Sequence, residues 1–499
     1  MGEQFILGID VGTTSVKAGL VDAHGELRGL FSRAYKTHRP ANQWAEQNAE
    51  DWTQLIDAAI AHYANEGLTP AIKAVGLCSQ VNTHIFVGDN GKPLMPAILW
   101  QDGRARAQAQ ALNARVSDVQ KVAWWDVPMP IDASNILSRM AWVAETHPDI
   151  WDKTRWVMLP KDYCLHHLTG EVCTDPLSNI GLVGSDLVYI PEVFNLVPGS
   201  MEKITPLAPI TQVIGLVKAG SPLAGVPVVA GTMDAWAGMI GAGGAREKSS
   251  VYLSGTSETL GITSRDLTPT PGAIVFPECV GLRVHAAPTQ SGGDAKAWFA
   301  ALSGLRLDQM SNLVADTPRN DKTPLFLPQL EGERAPLWDS SLRSSFLGVS
   351  RRTGLGDFAR AVYEGVAFAS RHAFETIQTS SNTASKSVGC AGGGFKSDAW
   401  NQIRADVLGV ECQILSIQEP GILGAAMIAG VGTGAFASLT EAHDALVRHN
   451  RVIAPREEYY QHYSEIFDVY KEAITTHASI TARLSGTGKV PAPLSKNCT

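Results

Sequence analysis

Several features that would narrow the function of this chain are missing from it. Its seven cysteines (Cys78, Cys164, Cys173, Cys279, Cys390, Cys412 and Cys498) are odd in number, scattered, and never form CxxC. That spacing argues against a disulfide framework or a zinc site and fits a reducing cytoplasm. No apolar run reaches the ~18 residues that a membrane span requires. Positive charge is not in excess: 41 Lys and Arg face 49 Asp and Glu, a formal net charge of -8. Nucleic acid and anionic membranes are therefore not expected partners. The opening "MGEQFILGID" has neither a basic region nor a cleavage site, so no signal peptide is expected. No long low-complexity linker interrupts the chain. Residues 485–499, small, polar and Pro-containing, are expected to form a flexible tail.

What is present is an ordinary globular balance, 44% hydrophobic and 18% charged. At 499 residues the chain is too long for one core, so two domains are expected. Apolar runs at Val75–Cys78, Ile85–Val87, Val226–Ala230 and Val251–Leu253 predict strands. Asp51–Ala64, Asp357–Gln378 and Asp398–Leu408 predict helices. The alternation is that of an α/β protein. Cys78 and Cys390, inside candidate strands, read as small buried side chains.

Two stretches share one grammar. "FILGIDVGTTSVKAGLVD" (Phe5–Asp22) and "SSVYLSGTSETLGIT" (Ser249–Thr263) each read as strand, Gly-Thr turn, strand, about half the chain apart. The pair suggests two similar halves. A Gly/Thr/Ser turn can aim backbone N–H groups and hydroxyls at one phosphate, or it can be a hairpin turn chosen for backbone geometry. Asp10 favours the phosphate reading, because a carboxylate beside phosphates makes sense with a divalent cation. Lys17 either faces that anion or is a solvated lysine.

Further on, "VPVVAGTMDAWAGMIGAGGA" runs a buried strand into Asp234. Asp234 is either a helix N-cap or a general base at a strand-to-helix elbow. Phosphoryl transfer needs no raised pKa in such a base. "VGCAGGGFKSDAWNQIRADVLG" is a strand, a triple glycine, and an amphipathic helix. Gly392–Gly394 would let a ring or ribose lie on the backbone, or would serve as a connector needing positive φ. "GLCSQVNTHIFV" places Gln80, Asn82 and His84 around an apolar strand, and "ILWQDGRA" ends a strand with Trp100, Gln101, Asp102 and Arg104, a set that could bind a polyol. Singly, each is also explained as a capped turn, and His84 as a satisfied, partly buried histidine.

Together these pieces resemble the FGGY carbohydrate kinases, over roughly Phe5 to Thr476. The motifs are "GIDVGTTSVKAGLVD", "WAEQNAEDW", "ILWQDGRA", "GTMDAWAGMIGAG", "YLSGTSETLG", "EGERAPLWD", "SSFLGVSRRTGLGDFARAVYE", "GGGFKSDAWNQIRADVLG" and "EPGILGAAMIAG", in family order. The resemblance implies two ribonuclease-H-like domains of the actin/Hsp70-type ATPase fold around a hinged cleft. Residues 1–246 would form the sugar side and 247–484 the ATP side. It implies ATP and Mg²⁺ as cofactors and Asp234 as the base. Asp10 would hold the metal. Thr13, Thr14, Lys17, Gly255, Thr256 and Ser257 would lie at the phosphates, and Gly393, Gly394 and Asn401 at the adenosine. Gln80, Val81, Asn82, Trp100 and Asp102 would meet the sugar.

The departures bear on the acceptor. Xylulokinases carry Gln-Met-His-Gly where this chain has "QVNT", so Val81-Asn82 stands at their Met-His pair. Glycerol kinases carry Arg-Glu there. Arg139 stands where the family signature has lysine. Motif spelling and length are nearest the xylulokinase-like members. The expected reaction is phosphorylation of a linear ketose such as D-xylulose to its 5-phosphate. The alternatives are another acceptor (an L-ketose, an erythritol-type polyol or a gluconate-type acid) and, from another class, a non-catalytic actin-like ATP sensor. A homodimer is the assembly the resemblance allows.

Overall fold

The computed structural model describes residues 3–486. Most of the expected tail, and Cys498, lie outside the described residues. The chain divides into two compact units. The first takes the chain up to Glu247, Phe276–Arg283 and Ser416–Arg448; the second takes Lys248–Val275, Val284–Leu415 and the chain from His449 onward. A single cut after residue 246 thus describes only the first crossing.

Each unit is built on one seven-stranded sheet. We number the strands of these two sheets. The first holds β1 (Phe5–Val11), β2 (Ser15–Asp22), β3 (Leu27–Ala34), β4 (Ile72–Ser79), β5 (Val213–Leu216), β6 (Pro227–Val229) and β7 (Thr232–Met233), in the order β3-β2-β1-β4-β6-β5 with β7 also on β4. The second holds β8 (Ser250–Ser254), β9 (Glu258–Thr263), β10 (Ile274–Val275), β11 (Val284–Pro288), β12 (Ser387–Ala391), β13 (Glu411–Leu415) and β14 (His449–Ile453), in the order β10-β11-β9-β8-β12-β13-β14. Both repeat one plan: an antiparallel hairpin, two parallel neighbours, and an antiparallel edge. The echo between the two hairpin sequences therefore extends to whole sheets.

The expected strands and helices form, with ends displaced by a few residues. Ile85–Val87 is the exception in placement: it lies off the main sheet, antiparallel to Thr154–Met158. The helix Ala49–Asn65 shows why these segments fold as they do. Asn48 caps it by accepting from Glu50 N at 3.2 Å. Trp52, Ile56, Ala59, Ile60 and Tyr63 recur at helical spacing and are buried with Phe5, Leu7 and Ile9 of β1. Burial of each large side chain contributes roughly 1.5–3 kcal/mol.

The return of Ser416–Arg448 has a packing cause. The helix Pro420–Gly432 lies on β1 and β4 so closely that only glycine fits beneath it. A Cβ on Gly8 would come within 2.2 Å of Ile422 O, and one on Gly76 within 2.0 Å of Ala425 O. In the second unit, the longest signature motif runs from Ser345–Leu347 into the buried helix Leu355–Ser380. Its Asp357 accepts from Gly354 N at 2.9 Å, capping the helix. Its Glu364 accepts from Arg360 Nε at 2.8 Å and Tyr463 OH at 2.7 Å. These residues hold the core together. Among the described residues, six cysteines are free thiols and buried. No described helix is long and apolar enough to cross a membrane.

Candidate active site

In the first unit, three strand ends converge. Asp10 of β1 lies beside Cys78 of β4, and β7 sets Thr232 beside Cys78 and Met233 beside Ser79. The carboxyl ends of parallel strands are where α/β sheets gather ligand-binding groups. The chain then enters the helix Asp234–Met239 directly. Met233 occupies the N-cap, so Asp234 is not the cap; its Oδ1 accepts from Ala235 N at 2.7 Å.

Asp10 and Asp234 share one field. Burial, then the Asp10 charge, pushes the Asp234 carboxyl up to about 7. Burial also pushes Asp10 up to about 6, with Lys17 pulling it down and Glu419 pushing it further. Two half-buried carboxylates that share one field resist joint ionisation. Asp10 Oδ1 is buried without a hydrogen-bond partner. Gly421 leaves room for this carboxylate, since a Cβ there would lie 2.7 Å from Asp10 Oδ2. An orphaned, buried carboxylate oxygen suits a hard divalent cation, held directly or through water. Lys17 pairs with Asp10 across the hairpin, yet its Nζ lies 2.6 Å from Glu419 Oε2. This lysine is engaged by a carboxylate in a partly exposed pair.

The two Gly-Thr turns answer the question of backbone geometry. Neither Gly12 nor Gly255 has a positive φ. A Cβ on Gly12 would meet nothing nearer than Ser15 O at 3.5 Å, and one on Gly255 nothing nearer than Ser257 O at 3.8 Å. Neither the backbone nor protein packing demands glycine there. Thr14, Gly255 and Thr256 are exposed.

A closed ring of hydrogen bonds joins the first turn to the polar wall. Gln47 Nε2 donates to Thr13 O at 2.8 Å, and Gln80 Nε2 to Gln47 Oε1 at 3.1 Å. Thr83 Oγ1 donates to Gln80 Oε1 at 3.1 Å, and Trp100 N to Thr83 Oγ1 at 3.2 Å. Trp100 Nε1 then donates to Thr13 Oγ1 at 3.0 Å. Trp100 remains 43% exposed, leaving much of its ring uncovered. Val81 and Asn82 are half-buried on the same wall. Asn82 adopts φ 54°, a region its short polar side chain tolerates. Its Nδ2 reaches Ser134 Oγ at 3.4 Å.

Asp102 is a correction. Its Oδ2 accepts from Ala45 N at 2.6 Å and Arg104 Nη2 at 2.7 Å; its Oδ1 accepts from Arg104 N and Nε, both at 2.9 Å. It is buried, and its oxygens are committed to protein donors, so it anchors the wall. Arg104 also pairs with Glu46 at 2.8 Å and lies over Trp44 at 3.7 Å. Arg139 is buried and donates to Ile98 O at 2.9 Å, Leu99 O at 2.6 Å and Asp102 O at 3.0 Å. It pins the backbone on both sides of Trp100, and burial pushes its guanidinium down to about 10. His84 is buried and bridges Ile98 through its backbone, and burial keeps its imidazole well below its ordinary value.

Residue-by-residue reading missed a buried cluster behind the elbow. Lys161 Nζ lies 2.5 Å from Asp162 Oδ1 and 2.9 Å from Asp175 Oδ2. Asp175 Oδ1 accepts from Thr232 Oγ1 at 2.8 Å, two residues before Asp234. "PKD" and "TD" carried no spacing that would have joined them.

In the second unit the turn Gly255–Ser257 rests on a helix start. Gly293 N donates to Gly255 O at 3.1 Å and Asp294 N to Thr256 O at 3.0 Å. Beneath it, Arg404 Nη2 donates to Ser254 Oγ at 2.6 Å and Glu258 Oε1 at 3.0 Å, and Nη1 to Gly394 O at 3.1 Å. Arg404 stacks on Trp400 at 3.6 Å. Burial pushes the Glu258 carboxyl up, and Arg404 pulls it back. Of the three glycines, Gly392 has φ 104°, and a Cβ on Gly394 would lie 1.8 Å from Ser254 Oγ. Gly393 is exposed with nothing within 4 Å of a Cβ, an open strip of backbone. Asn401 is fully buried; its Nδ2 donates to Phe395 O at 2.8 Å, so it braces that turn from below instead of lying at its surface.

Comparison with known proteins adds to this geometry. The family models described as FGGY family of carbohydrate kinases, N-terminal domain, and the C-terminal domain of the same family match residues 5–241 and 251–433. The xylulose kinase of Lactococcus lactis subsp. lactis is 27% identical, over 96% of this chain and 98% of its own length. The xylulose kinase of Escherichia coli is 29% identical, over 87% and 91%. Among solved structures, the gluconate kinase from Lactobacillus acidophilus superposes with a TM-score of 0.86 at 23% identity, covering 97% of this chain and 100% of that one. That likeness establishes the fold.

Proposed function

The chain belongs to the FGGY family of carbohydrate kinases, and from that premise we propose a specific reaction and a specific base. As a sugar phosphotransferase of a family that uses ATP as phosphate donor, it transfers the terminal phosphoryl group of ATP to a linear ketose. D-xylulose, giving the 5-phosphate, is the acceptor favoured by the names of its relatives. Asp234 is the general base. The observation that carries this reading is the place of Asp234, half-buried at a strand-to-helix elbow in the same field as Asp10, with its carboxyl pushed up to about 7.

The acceptor hydroxyl hydrogen-bonds the Asp234 carboxylate, which orients its oxygen towards the terminal phosphorus. As the new O–P bond forms and the bond to the bridging oxygen breaks, the hydroxyl proton passes to Asp234, and ADP leaves. The transition state is loose, so positioning and a late proton transfer suffice. Thr13, Thr14 and Gly12 line one phosphate turn; Gly255, Thr256 and Ser257 line the other. Asp10 would hold Mg²⁺, directly or through water, whose charge offsets that of the phosphates. Gly393 would border the nucleoside. Trp100, Gln80, Val81 and Asn82 form the sugar wall, which Asp102, Arg104 and Arg139 brace. The Arg104 side chain is buried and its charge is balanced by Asp102 and Glu46, so it is not offered to an acidic sugar.

The test is an ADP-release screen with MgATP across ketoses, polyols and aldonic acids, with Asp234→Ala as control. Turnover on D-xylulose that depends on Asp234 is the expected result, and kcat/KM should rise with pH through about 7. Turnover on a different acceptor would move the substrate and keep the base. Full activity in the Asp234→Ala variant would overturn the base.

A further inference from the structure

The motif "EGERAPLWD" (Glu331–Asp339) has no part in the reaction as described so far. Its arginine is nevertheless built into the second phosphate turn. Arg334 Nη2 donates to Ser257 Oγ at 3.1 Å and to Thr289 O at 2.6 Å. The loop is held in place from both sides: Ala335 N donates to Pro288 O at 2.9 Å, and Glu333 and Asp339 exchange backbone bonds.

The charge of Arg334 is not answered by the protein. The adjacent Glu333 is turned to other donors: Ser291 Oγ at 3.0 Å, Gln329 Nε2 at 3.1 Å and the backbone N–H of Gln290 and Arg334. Among the described residues, no carboxylate lies within ion-pair distance of the Arg334 guanidinium. The two bonds of Nη2 are its whole hydrogen-bond set, and Nε is buried without an acceptor. The contrast with Arg404 in the same unit is direct, because that guanidinium is balanced by Glu258. A largely desolvated cation without a counter-charge is costly unless an anion completes it. Burial pushes the Arg334 guanidinium down from its ordinary value, with Glu333 pulling it back.

We propose that Arg334 is a nucleotide ligand of this kinase, donating from its uncommitted Nη1 to the terminal phosphate of ATP while Nη2 stays on Ser257. A guanidinium suits this task because its planar donors match phosphate oxygens and it cannot lose its charge at working pH. The inference rests on the reading of Gly255–Ser257 as a phosphate turn. It makes Arg334 a catalytic residue, since the group it touches is the one transferred.

Calorimetric titration of ATP and ADP, without acceptor, into the wild-type protein, Arg334→Gln and Arg334→Lys tests it. Wild-type binding of both nucleotides checks the phosphate-turn reading on its own; binding of neither would overturn that reading and the inference with it. In Arg334→Gln, ATP affinity should fall about 10- to 100-fold, as expected for a lost charge-assisted bond, while ADP affinity stays within about twofold. Arg334→Lys should recover part of the ATP affinity, and it serves alone if the glutamine variant does not fold. Equal losses for ATP and ADP would make Arg334 a support of the turn and overturn the proposal. Unchanged ATP affinity in both variants would also overturn it.

Discussion

The two Gly-Thr turns have the same local pattern and opposite surroundings. Beside the first lie Asp10 and Asp234, both pushed towards neutrality, with the nearby lysine already paired to Glu419. Beneath the second, Glu258 is matched by Arg404, and Arg334 is a cation without an acid partner. One turn sits in a field that calls for a cation and can take up a proton; the other sits in a field that calls for an anion. A repeated hairpin thus stands in two different electrostatic settings, set by the side chains packed behind it.

The sharpest way to break the comparison is at the base. Asp234→Asn should lower kcat by about 10²- to 10⁴-fold, the range for a lost general base, with ATP binding within about twofold of wild type. Steady-state kinetics and nucleotide titration together check this; a parallel loss of ATP affinity would count against the division of labour.

The next largest effect concerns buried against exposed charge. Arg404→Met strands Glu258 in the core and should cost about 3–5 kcal/mol in urea unfolding. Adding Glu258→Gln should recover part of the loss. The matching cut at the first turn, Lys17→Met, should cost under about 1 kcal/mol, because that lysine side chain is 34% exposed and screened.

The acidic pair also makes a pH prediction for metal-free protein. The Asp10 carboxyl, ordinarily at 3.8, sits at about 6 in the folded chain. Between these values the native state holds a proton that the unfolded chain has released, so stability is lost as pH rises through the window. Asp10→Asn removes this penalty and eases that on Asp234. The variant should exceed wild type by roughly 2–3 kcal/mol at pH 8, the gap closing towards pH 4. Unfolding in EDTA across that range checks it, and a gap that does not vary with pH would remove the linkage. A modest effect is expected from Gln47→Leu, which opens the ring between Thr13 and Trp100. It should cost about 1–2 kcal/mol and raise the acceptor KM more than it lowers kcat.

Much of this site was legible in the sequence, for a reason particular to each part. Asp234 was readable because a buried apolar run ending in Gly-Thr-x-Asp is a local pattern. The two Gly-Thr turns were readable as a pair because the same pattern occurs twice. Lys17, Asp102 and Asn401 could not be placed in the same way: their residue types suit a ligand, but their partners, Glu419, Ala45 N and Phe395 O, are set by the fold. Gln47, Lys161 and Arg334 drew no individual role because their significance lies in contacts with Thr13, Asp175 and Ser257.

By itself, then, the sequence determined what short-range physics can carry: strand and helix periods, glycines at the turns, an acid at the elbow, and the repeated hairpin. The tertiary structure decided which charges are answered and which are left open. It did so because burial and pairing depend on segments far apart in the chain, and the work a carboxylate or guanidinium can do depends on how much water and counter-charge it keeps.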